Sequence, residues 1–480
     1  MPDTGKTLNA TLPPTQPLNW LDRQFPMLRR DRIEFLTGQA ALGDVTTFRM
    51  GPARVFFINH PDLIRDVLVV NAHKFIKGRA LQRAKTLLGD GLLTSEGDAH
   101  LRQRRMMQPA FHRLRIAEYA RVMIKYADKM ADAWQDGDVR DIDKEMMRLT
   151  LQIVGKTLFG ADVESDADDV GRSLTTIVEM FNLLLLPFSE VLEKLPFPQS
   201  IRFKRARRTL DKIIYNIINE RRCSGVDTGD LLSMLLLAQD EDDGTAMTDE
   251  QVRNQAMTLF LAGHETTANA LTWTWYLLSQ NADAEARLHD ELDRVLAIDN
   301  PSGSEGVLTS AAANVNTLPN GRVSALRIAA IDDVPNLKYT EHVLAESMRL
   351  YPPAWAVGRY AIEDHELGGF AIPKGSTVLS SQYILHRDPR FWDRPTEFLP
   401  ERWEAQSVKE AGQKNIYYPF GGGVRRCIGE SFAWAEGILL LATFARKWKL
   451  ELIPGQRIEP KPMITLRPKY AVRMKISARS

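Results

Sequence analysis

The stretch that decides the fold of this chain is YYPFGGGVRRCIGESFAWAEGILLLATFA, residues 417–445. Three glycines and two arginines precede Cys427, and a helical pattern runs from Gly429 onward. The first N–H groups of a helix have no intrahelical partner, and the helix dipole places positive charge there. Both effects favour a thiolate over a thiol, and the thiolate is the form that binds a metal. Cys427 is therefore a candidate metal ligand.

Two other interpretations fit the same loop. Glycine-rich loops can bind phosphate, but that pattern ends in Gly-Lys-Ser/Thr, whereas Gly429 is followed by Glu430, whose charge repels an anion. A buried structural cysteine beside a glycine turn is the simpler alternative, and the loop taken alone favours it. Cys223 lies in a polar stretch after a basic helix end, which predicts an incidental surface thiol. Two cysteines are too few for a disulfide framework or a paired-cysteine zinc site.

The spacing of the loop is more specific than its composition. Phe420, Gly423, Arg425, Cys427 and Gly429 fall on F-x-x-G-x-R-x-C-x-G, which resembles the haem-ligand loop of the cytochrome P450 family. The resemblance implies haem b bound through the thiolate of Cys427, with Phe420 shielding the sulfur. It further implies that the two glycines let the backbone approach the haem and that Arg425 binds a propionate.

A long helix is predicted upstream of the loop, in MTDEQVRNQAMTLFLAGHETTANALTWTWYLLSQ (247–280). Thr248 and Gln251 have capping-box spacing, and the segment continues to about Gln280 without proline. Its apolar middle is interrupted by a polar run at residues 264–267. Buried polar groups are costly unless they have partners, so this run is a candidate functional site.

The motif A-G-H-E-T-T at residues 262–267 resembles the family motif A/G-G-x-D/E-T-T. By that resemblance Glu265 and Thr266 are the catalytic pair that delivers protons to dioxygen at the iron. Ala262 and Gly263 are small enough for a flat cofactor to pass close to the helix. Thr266 can also donate to the carbonyl four residues back, which would bend the helix and open a groove for oxygen.

Further charged residues extend the resemblance. Glu346 and Arg349 stand three apart on one predicted helix face, and Arg402 in FLPERW matches the third member of the family's Glu-Arg-Arg triad. We assign this triad to folding and haem incorporation.

Other basic residues are expected to contact the haem propionates. His100 and Arg104 stand one helical turn apart, and Arg359 lies in AVGRYA. Many members of the family carry tryptophan where His100 stands. A charge-assisted hydrogen bond to a propionate contributes roughly 1.5 to 3 kcal/mol.

The remaining pattern predicts a mainly α fold with a small β region. Residues 45–50 and 53–59 flank a Gly-Pro and predict a hairpin, whereas residues 60–295 show helical spacing. Short β-like runs follow at 376–379, 449–453 and 472–477. The resemblance implies the cytochrome P450 fold, a helical body in which haem lies between a long central oxygen-binding helix and the cysteine loop.

The domain organisation follows from composition. We expect one domain over 1–480, with a polar N-terminal extension at 1–20 and a flexible surface insertion at 298–333, which is rich in Ser, Ala, Asn and Gly. With 62 Lys+Arg against 61 Asp+Glu, the net charge of +1 offers no attraction to nucleic acid. No secretory pattern and no apolar run of roughly 18 residues occurs, so we expect a cytoplasmic protein without an integral membrane segment.

The resemblance implies a monooxygenase that activates dioxygen with two electrons and hydroxylates or epoxidises an apolar small molecule. The sequence shows no flavin or iron–sulfur domain, so electrons are expected from a separate ferredoxin or flavodoxin with its reductase. The basic residues around the loop, which could steer such a partner, are Arg102, Arg105, Arg113 and Arg426.

The walls of the substrate pocket are expected near 80–95, 177–187, 354–358 and 463–466. Large apolar residues that we expect there are Phe181, Leu184, Trp355 and Ile464. Two alternatives stay open: a haem-thiolate enzyme that uses peroxide or rearranges a hydroperoxide, and a non-catalytic haem sensor. The acid and alcohol of the A-G-H-E-T-T motif argue against the first.

Overall fold

The computed structural model describes residues 12–17, 31–161, 170–177, 198–237, 246–298, 315–317 and 323–479. The α-helices are α1 Arg32–Ala40, α2 Pro61–Arg65, α3 Arg79–Arg83, α4 Lys85–Leu88, α5 Gly97–Met107, α6 Arg113–Asp132, α7 Ile142–Phe159, α8 Pro198–Ser224, α9 Leu231–Leu237, α10 Asp249–Ser279, α11 Ala282–Leu296, α12 Lys338–Leu350, α13 Gln382–Leu385, α14 Arg402–Ala405, α15 Val408–Gln413 and α16 Glu430–Ala445. A π-helix spans Asp66–Val70, and short 3-10 helices include Ile331–Asn336 and Gly423–Arg425.

The strands are short and lie mostly at the two ends of the chain. They are β1 Val45–Met50, β2 Ala53–Ile58, β3 Phe75–Lys77, β4 Val139–Asp141, β5 Val315–Thr317, β6 Val323–Ala325, β7 Val357–Ala361, β8 His365–Leu367, β9 Phe370–Ile372, β10 Thr377–Ser380, β11 Trp448–Leu452, β12 Pro460–Pro462, β13 Leu466–Pro468 and β14 Arg473–Ala478. The largest sheet has the order β1-β2-β10-β7-β3, with β2 and β10 parallel and the other pairs antiparallel. The predicted hairpin and later β runs are confirmed to within a few residues.

Helix α10 is the central helix of the body. Its predicted capping box is present, because the hydroxyl of Thr248 accepts from the N–H of Gln251 and the amide oxygen of Gln251 accepts from the N–H of Thr248. The helix packs against α7, α8, α12 and α16 and is buried along nearly its whole length. Side chains on almost every face of α10 therefore contact other parts of the protein. This explains why the sequence of α10 has no continuous polar face of the kind that a surface helix turns to solvent.

The predicted insertion at 298–333 lies partly outside the described residues. Its far end carries β6, an isolated bridge between Ala297 and Leu326, and a 3-10 helix that begins at Ile331. The carbonyl of Leu326 accepts from Arg446 of the body at 2.9 Å. The end of the expected flexible insertion thus includes short regular elements and is bound to the body through Leu326.

Little of the predicted N-terminal extension is described. Within residues 12–17, the carbonyl of Pro14 accepts from the N–H of Thr47 at 2.9 Å, which attaches this segment to β1. None of the helices in the described ranges is long and apolar enough to cross a membrane.

Candidate active site

The cysteine loop precedes α16 as the sequence predicts. Helix α16 begins at Glu430 with Gly429 as its N-cap, and the N–H of Cys427 donates to the carbonyl of Phe420 at 3.0 Å. Both Phe420 and Cys427 line a cavity of about 670 Å³. The accessible surface of Cys427 opens into this cavity, whereas Cys223 is exposed at the end of α8 as expected of a surface thiol.

Two opposing effects act on the sulfur. Burial raises the pKa of the Cys427 thiol to about 11, while the N–H of Gly429 and the charges of Arg104 and Arg426 lower it. The start of α16 therefore lowers the pKa of the thiol, as the sequence predicts, but burial raises it by more. A thiolate at this position needs a cation beside it, and a metal ion that binds the sulfur supplies one.

Gly423 has a packing role that the sequence does not reveal. Its φ is +63°, and a β-carbon at this position would collide with the backbone carbonyl of Leu68. Leu68 belongs to the π-helix, which therefore lies directly against the cysteine loop. Gly423 does not line the cavity. The absence of a side chain at Gly423 instead lets the cysteine loop approach the π-helix closely.

The cavity lies between α10 and the cysteine loop. Its walls are mainly apolar, and three of the predicted wall segments contribute to them. Representative lining residues are Leu81, Leu93, Leu259, Met348, Trp355 and Ile464. The predicted wall residues Phe181 and Leu184 lie outside the described residues.

Thr266 and Ala262 face the cavity from α10. The hydroxyl of Thr266 donates to the carbonyl of Ala262 at 2.7 Å, which is the bond expected from the sequence. The helix nevertheless continues unbroken from Asp249 to Ser279. A β-carbon on Gly263 would approach Val154 of α7 at 3.1 Å, so the small residue there serves helix packing.

Glu265 does not line the cavity. It is 1% exposed, and its Oε1 accepts from Nε of Arg467 at 2.7 Å and also from the hydroxyl of Thr465. The carboxylate therefore points toward the turn between β12 and β13. Glu265 and Thr266 are neighbours in the sequence, but in the structure only Thr266 lines the cavity.

Three basic residues line the cavity, namely Lys77, Arg359 and Arg425. We call them the basic cluster. Lys77 of β3 is the direct cross-strand partner of Arg359 of β7, a placement that is unfavourable for like charges. Burial, followed by the charge of Arg425, lowers the pKa of Lys77 to about 7 and that of Arg359 to about 10. Glu96 is the carboxylate paired with Arg425.

The basic cluster fits the cofactor that the cysteine loop implies. The three basic side chains line the cavity together with one paired carboxylate nearby, Glu96, and this excess of basic groups suits the two negatively charged propionates of haem b. Lys77 was not predicted from the sequence. A buried lysine in a strand of three residues gives no local signal, and only the pairing of β3 with β7 reveals it.

His100 and Arg104 lie behind the basic cluster without lining the cavity. His100 is 3% exposed, and burial followed by the charges of Arg425, Lys77 and Arg104 lowers its pKa to about 3. It is therefore neutral. Arg104 donates to the carbonyl of Arg426 at 2.8 Å and so attaches α5 to the cysteine loop.

A second buried acid, Glu436, lies on α16. Its side chain is 0% exposed, and neither carboxylate oxygen has a hydrogen-bonding partner of normal geometry among the described residues. Burial raises its pKa to about 8, and the nearby hydroxyl of Thr267 lowers it only in part. Glu436 is thus a carboxylic acid that stays protonated near neutral pH.

The predicted triad holds the segment before the cysteine loop. The carboxylate of Glu346 accepts from Arg349 at 2.8 Å and from Arg402 at 2.8 Å. Arg349 also donates to the carbonyl of His386 at 2.6 Å. The ring of His386 stacks on Tyr417, the first residue of the cysteine-loop stretch, so the triad reaches the loop through these two rings.

Comparisons with known proteins agree with this geometry. The cytochrome P450 family model matches residues 13–475. The chain is 40% identical over 443 residues to "Cyclooctatin synthase" of Streptomyces melanosporofaciens, covering 92% of this chain and 90% of that protein. It is 36% identical to "Cyclooctat-9-en-7-ol 5-monooxygenase" of the same organism, covering 93% and 90%.

A third relative, "Pentalenene oxygenase" of Streptomyces avermitilis, is 33% identical over 457 residues, which covers 95% of this chain and 94% of the relative. The family match thus extends over nearly the whole chain, and the relatives are similar over nearly their whole length. This chain therefore belongs to the cytochrome P450 family and is a haem-thiolate monooxygenase.

Proposed function

We propose that this monooxygenase oxidises a cyclic, terpene-like hydrocarbon or alcohol, with Cys427 as the iron ligand and electrons from a separate protein. The observation that carries the proposal is a mainly apolar cavity bounded by Cys427 on one side and Thr266 on the other. When bound there, the haem supplies the iron at which dioxygen is reduced and one oxygen atom is transferred to the substrate.

The basic cluster and its neighbours would hold the cofactor. Lys77, Arg359 and Arg425 neutralise the propionates, and Phe420 covers the sulfur side of the cavity, where it packs 5.9 Å from the ring of Trp434. The N–H of Gly429 interacts with the sulfur, and such a hydrogen bond tunes the potential of a bound metal.

Thr266 and Glu265 are the proposed proton-delivery residues. The hydroxyl of Thr266 donates a hydrogen bond to the carbonyl of Ala262 and lines the cavity, where its oxygen is available as an acceptor. Glu265, the adjacent residue, supplies the ionisable group that exchanges protons. Glu265 is bound to Arg467 in this structure, so a proton relay with Thr266 requires the carboxyl group to turn toward the hydroxyl.

The substrate class rests on the apolar walls and on the relatives. The relatives' names denote an unsaturated ring alcohol and a hydrocarbon, cyclooctat-9-en-7-ol and pentalenene. A rigid apolar substrate matches walls formed by residues such as Leu93, Leu259 and Ile464. Such a substrate loses little conformational freedom on binding.

The direct test is a spectral titration of the haem protein with a panel of cyclic terpenes and, as a contrasting set, linear fatty acids. We expect the ferric spectrum to shift with the cyclic compounds, followed by product formation when reduced nicotinamide, ferredoxin and ferredoxin reductase are added. Turnover with peroxide alone and none with redox partners would support a peroxide-using enzyme. Haem binding without turnover in either set would support a sensor.

The proposed redox-partner face surrounds the cysteine loop. Exposed apolar side chains of Val69, Val70 and Val424 lie there, and Arg426 is more than half exposed although it pairs with Glu430. An apolar centre beside basic residues suits an acidic ferredoxin or flavodoxin. Arg426→Glu should slow reduction by such a partner at low salt, whereas Arg473→Glu on β14 should not. Equal rates in both variants would place the docking face elsewhere.

A further inference from the structure

The carboxylate of Glu265 is held by a segment about 200 residues away in sequence, namely the turn between β12 and β13. This hairpin tip consists of residues 463–465. Met463 and Ile464 line the cavity, and the next residue, Thr465, donates to Glu265. One short turn therefore touches both the substrate space and the acid.

The hydrogen bonds around Glu265 have a fixed direction. Asn269, one turn further along α10, donates its amide N–H to the hydroxyl of Thr465 at 3.3 Å, so Thr465 is left to donate its single proton to Glu265. Arg467 can only donate. One oxygen of Glu265 thus accepts two hydrogen bonds, one of them from a guanidinium.

The backbone around the hairpin tip is held on both sides. The indole of Trp355 donates to the carbonyl of Met463 at 2.8 Å, and the indole of Trp273 donates to the carbonyl of Leu466 at 2.9 Å. Ile464 and Thr465 therefore lie next to each other between two anchored residues, one facing the cavity and the other bound to Glu265.

Arg467 has a second carboxylate nearby. Asp143, at the start of α7, is close enough for the charge of Arg467 to lower its pKa, although burial raises that pKa to about 6. Its Oδ1 is buried and has no hydrogen-bonding partner among the described residues. If Glu265 turns away, the guanidinium keeps a negative neighbour, so the change does not leave an isolated buried charge.

We propose that Arg467 and Thr465 are positioning residues for Glu265, and that the hairpin tip makes the orientation of this carboxyl depend on what fills the substrate cavity. This inference rests on the proposed role of Glu265 in proton delivery. Glu265 points toward the hairpin in this structure, and contact of a substrate with Ile464 releases it toward Thr266. Only substrates that reach the tip then receive efficient proton delivery.

The first test is infrared spectroscopy of the haem-loaded protein, which needs no turnover. Arg467→Met leaves Glu265 buried without its counter-charge, so we expect a new carbonyl stretch of a protonated carboxyl group. The Glu265 part of this band should disappear in the double variant with Glu265→Gln, and any part that remains belongs to Asp143, whose pKa Arg467 also lowers. Arg457→Met, at a surface pair with Glu459, should not produce the band. A missing band, or one that is unchanged in the double variant, would overturn the positioning role.

The second test places a bulky side chain at the tip as a built-in occupant. Ile464→Trp should change the infrared absorption of the Glu265 carboxyl group. This absorption is identified by comparison with the same variant carrying Glu265→Gln. Leu81→Trp fills the same cavity from α3 and should leave Glu265 unchanged. An equal response in both variants, or none in either, would contradict coupling through the hairpin tip.

The third test uses turnover with redox partners. Arg467→Met frees Glu265 from the hairpin tip whether or not a substrate contacts Ile464, so the yield of product per reduced nicotinamide should no longer depend on whether the substrate reaches the tip. The spectral dissociation constant of substrate should be unchanged, and the solvent deuterium isotope effect should change. Arg467→Lys should restore most of the dependence on substrate. If the parent protein forms no product, the proposed substrate class fails, while the infrared experiments still decide the role of Arg467. A normal isotope effect in Arg467→Met would count against the proposal.

Discussion

The carboxylate of Glu346 accepts a hydrogen bond from the guanidinium of Arg349 at 2.8 Å, and neither side chain has any solvent exposure. Removal of one member of such a pair leaves a buried charge without compensation. Arg349→Ala should therefore lower the free energy of unfolding by about 3 to 5 kcal/mol and reduce the haem content of the purified protein.

The measurement is urea unfolding, with Arg394→Ala as the control because Arg394 forms an exposed pair with Glu397. The control should change stability by less than about 1 kcal/mol. Similar stability losses in both variants would show that the triad is no more important than a surface pair.

Cys427→Ser should abolish the thiolate-type carbon monoxide spectrum of the reduced haem protein, because serine does not offer a sulfur ligand. Cys223→Ser is the matched control, since this thiol is exposed and far along the chain from the loop. It should retain the parent spectrum. An unchanged spectrum in Cys427→Ser would mean that another residue binds the iron.

Thr266→Ala should keep the thiolate-type spectrum but release more hydrogen peroxide for each reduced nicotinamide consumed, with product yield lowered about tenfold or more. Thr274→Ala provides the control on the same helix, because Thr274 makes the same type of bond to Ala270 at 2.7 Å and is fully buried. Peroxide release that rises equally in the two variants would point to a general effect on α10.

Lys77→Met should accelerate haem loss, measured as haem transfer to excess apomyoglobin. One charge-assisted hydrogen bond contributes roughly 1.5 to 3 kcal/mol, which corresponds to a change of about tenfold or more in the dissociation rate. Lys85→Met, at a partly exposed pair with Asp90, should leave the rate unchanged. If Lys77→Met loses haem at the same rate as the parent protein, Lys77 does not bind a propionate.

Glu436→Gln should change how stability depends on pH. Burial raises the pKa of Glu436 in the folded protein to about 8 from its ordinary 4.5, so between these values the folded state holds a proton that the unfolded state releases. Stability of the parent should therefore fall as pH rises from about 5 to 8.

The glutamine variant has no proton to lose, so its melting temperature should fall less over the same interval, and the two proteins should differ most near pH 8. Glu410→Gln, at a surface capping box with Ser407, is the control. Parallel pH profiles for Glu436→Gln and the parent would show that Glu436 does not carry the buried proton.

The sequence alone determined the features that depend on neighbours in the chain. The capping box of Thr248 and Gln251, the start of α16 after Cys427 and the bond from Thr266 to Ala262 are all fixed by helical geometry over three or four residues. The motif spacing around Cys427 identified the family without any knowledge of distances.

Tertiary structure decided the features that depend on distant segments. Lys77 reaches the cavity because β3 pairs with β7, and Gly423 is required by its contact with Leu68 of the π-helix. The thiol of Cys427 has a raised pKa because the whole fold buries it. Glu265 is held by Arg467, a partner that helical periodicity cannot indicate, because long-range pairing is set by packing and burial rather than by local backbone geometry.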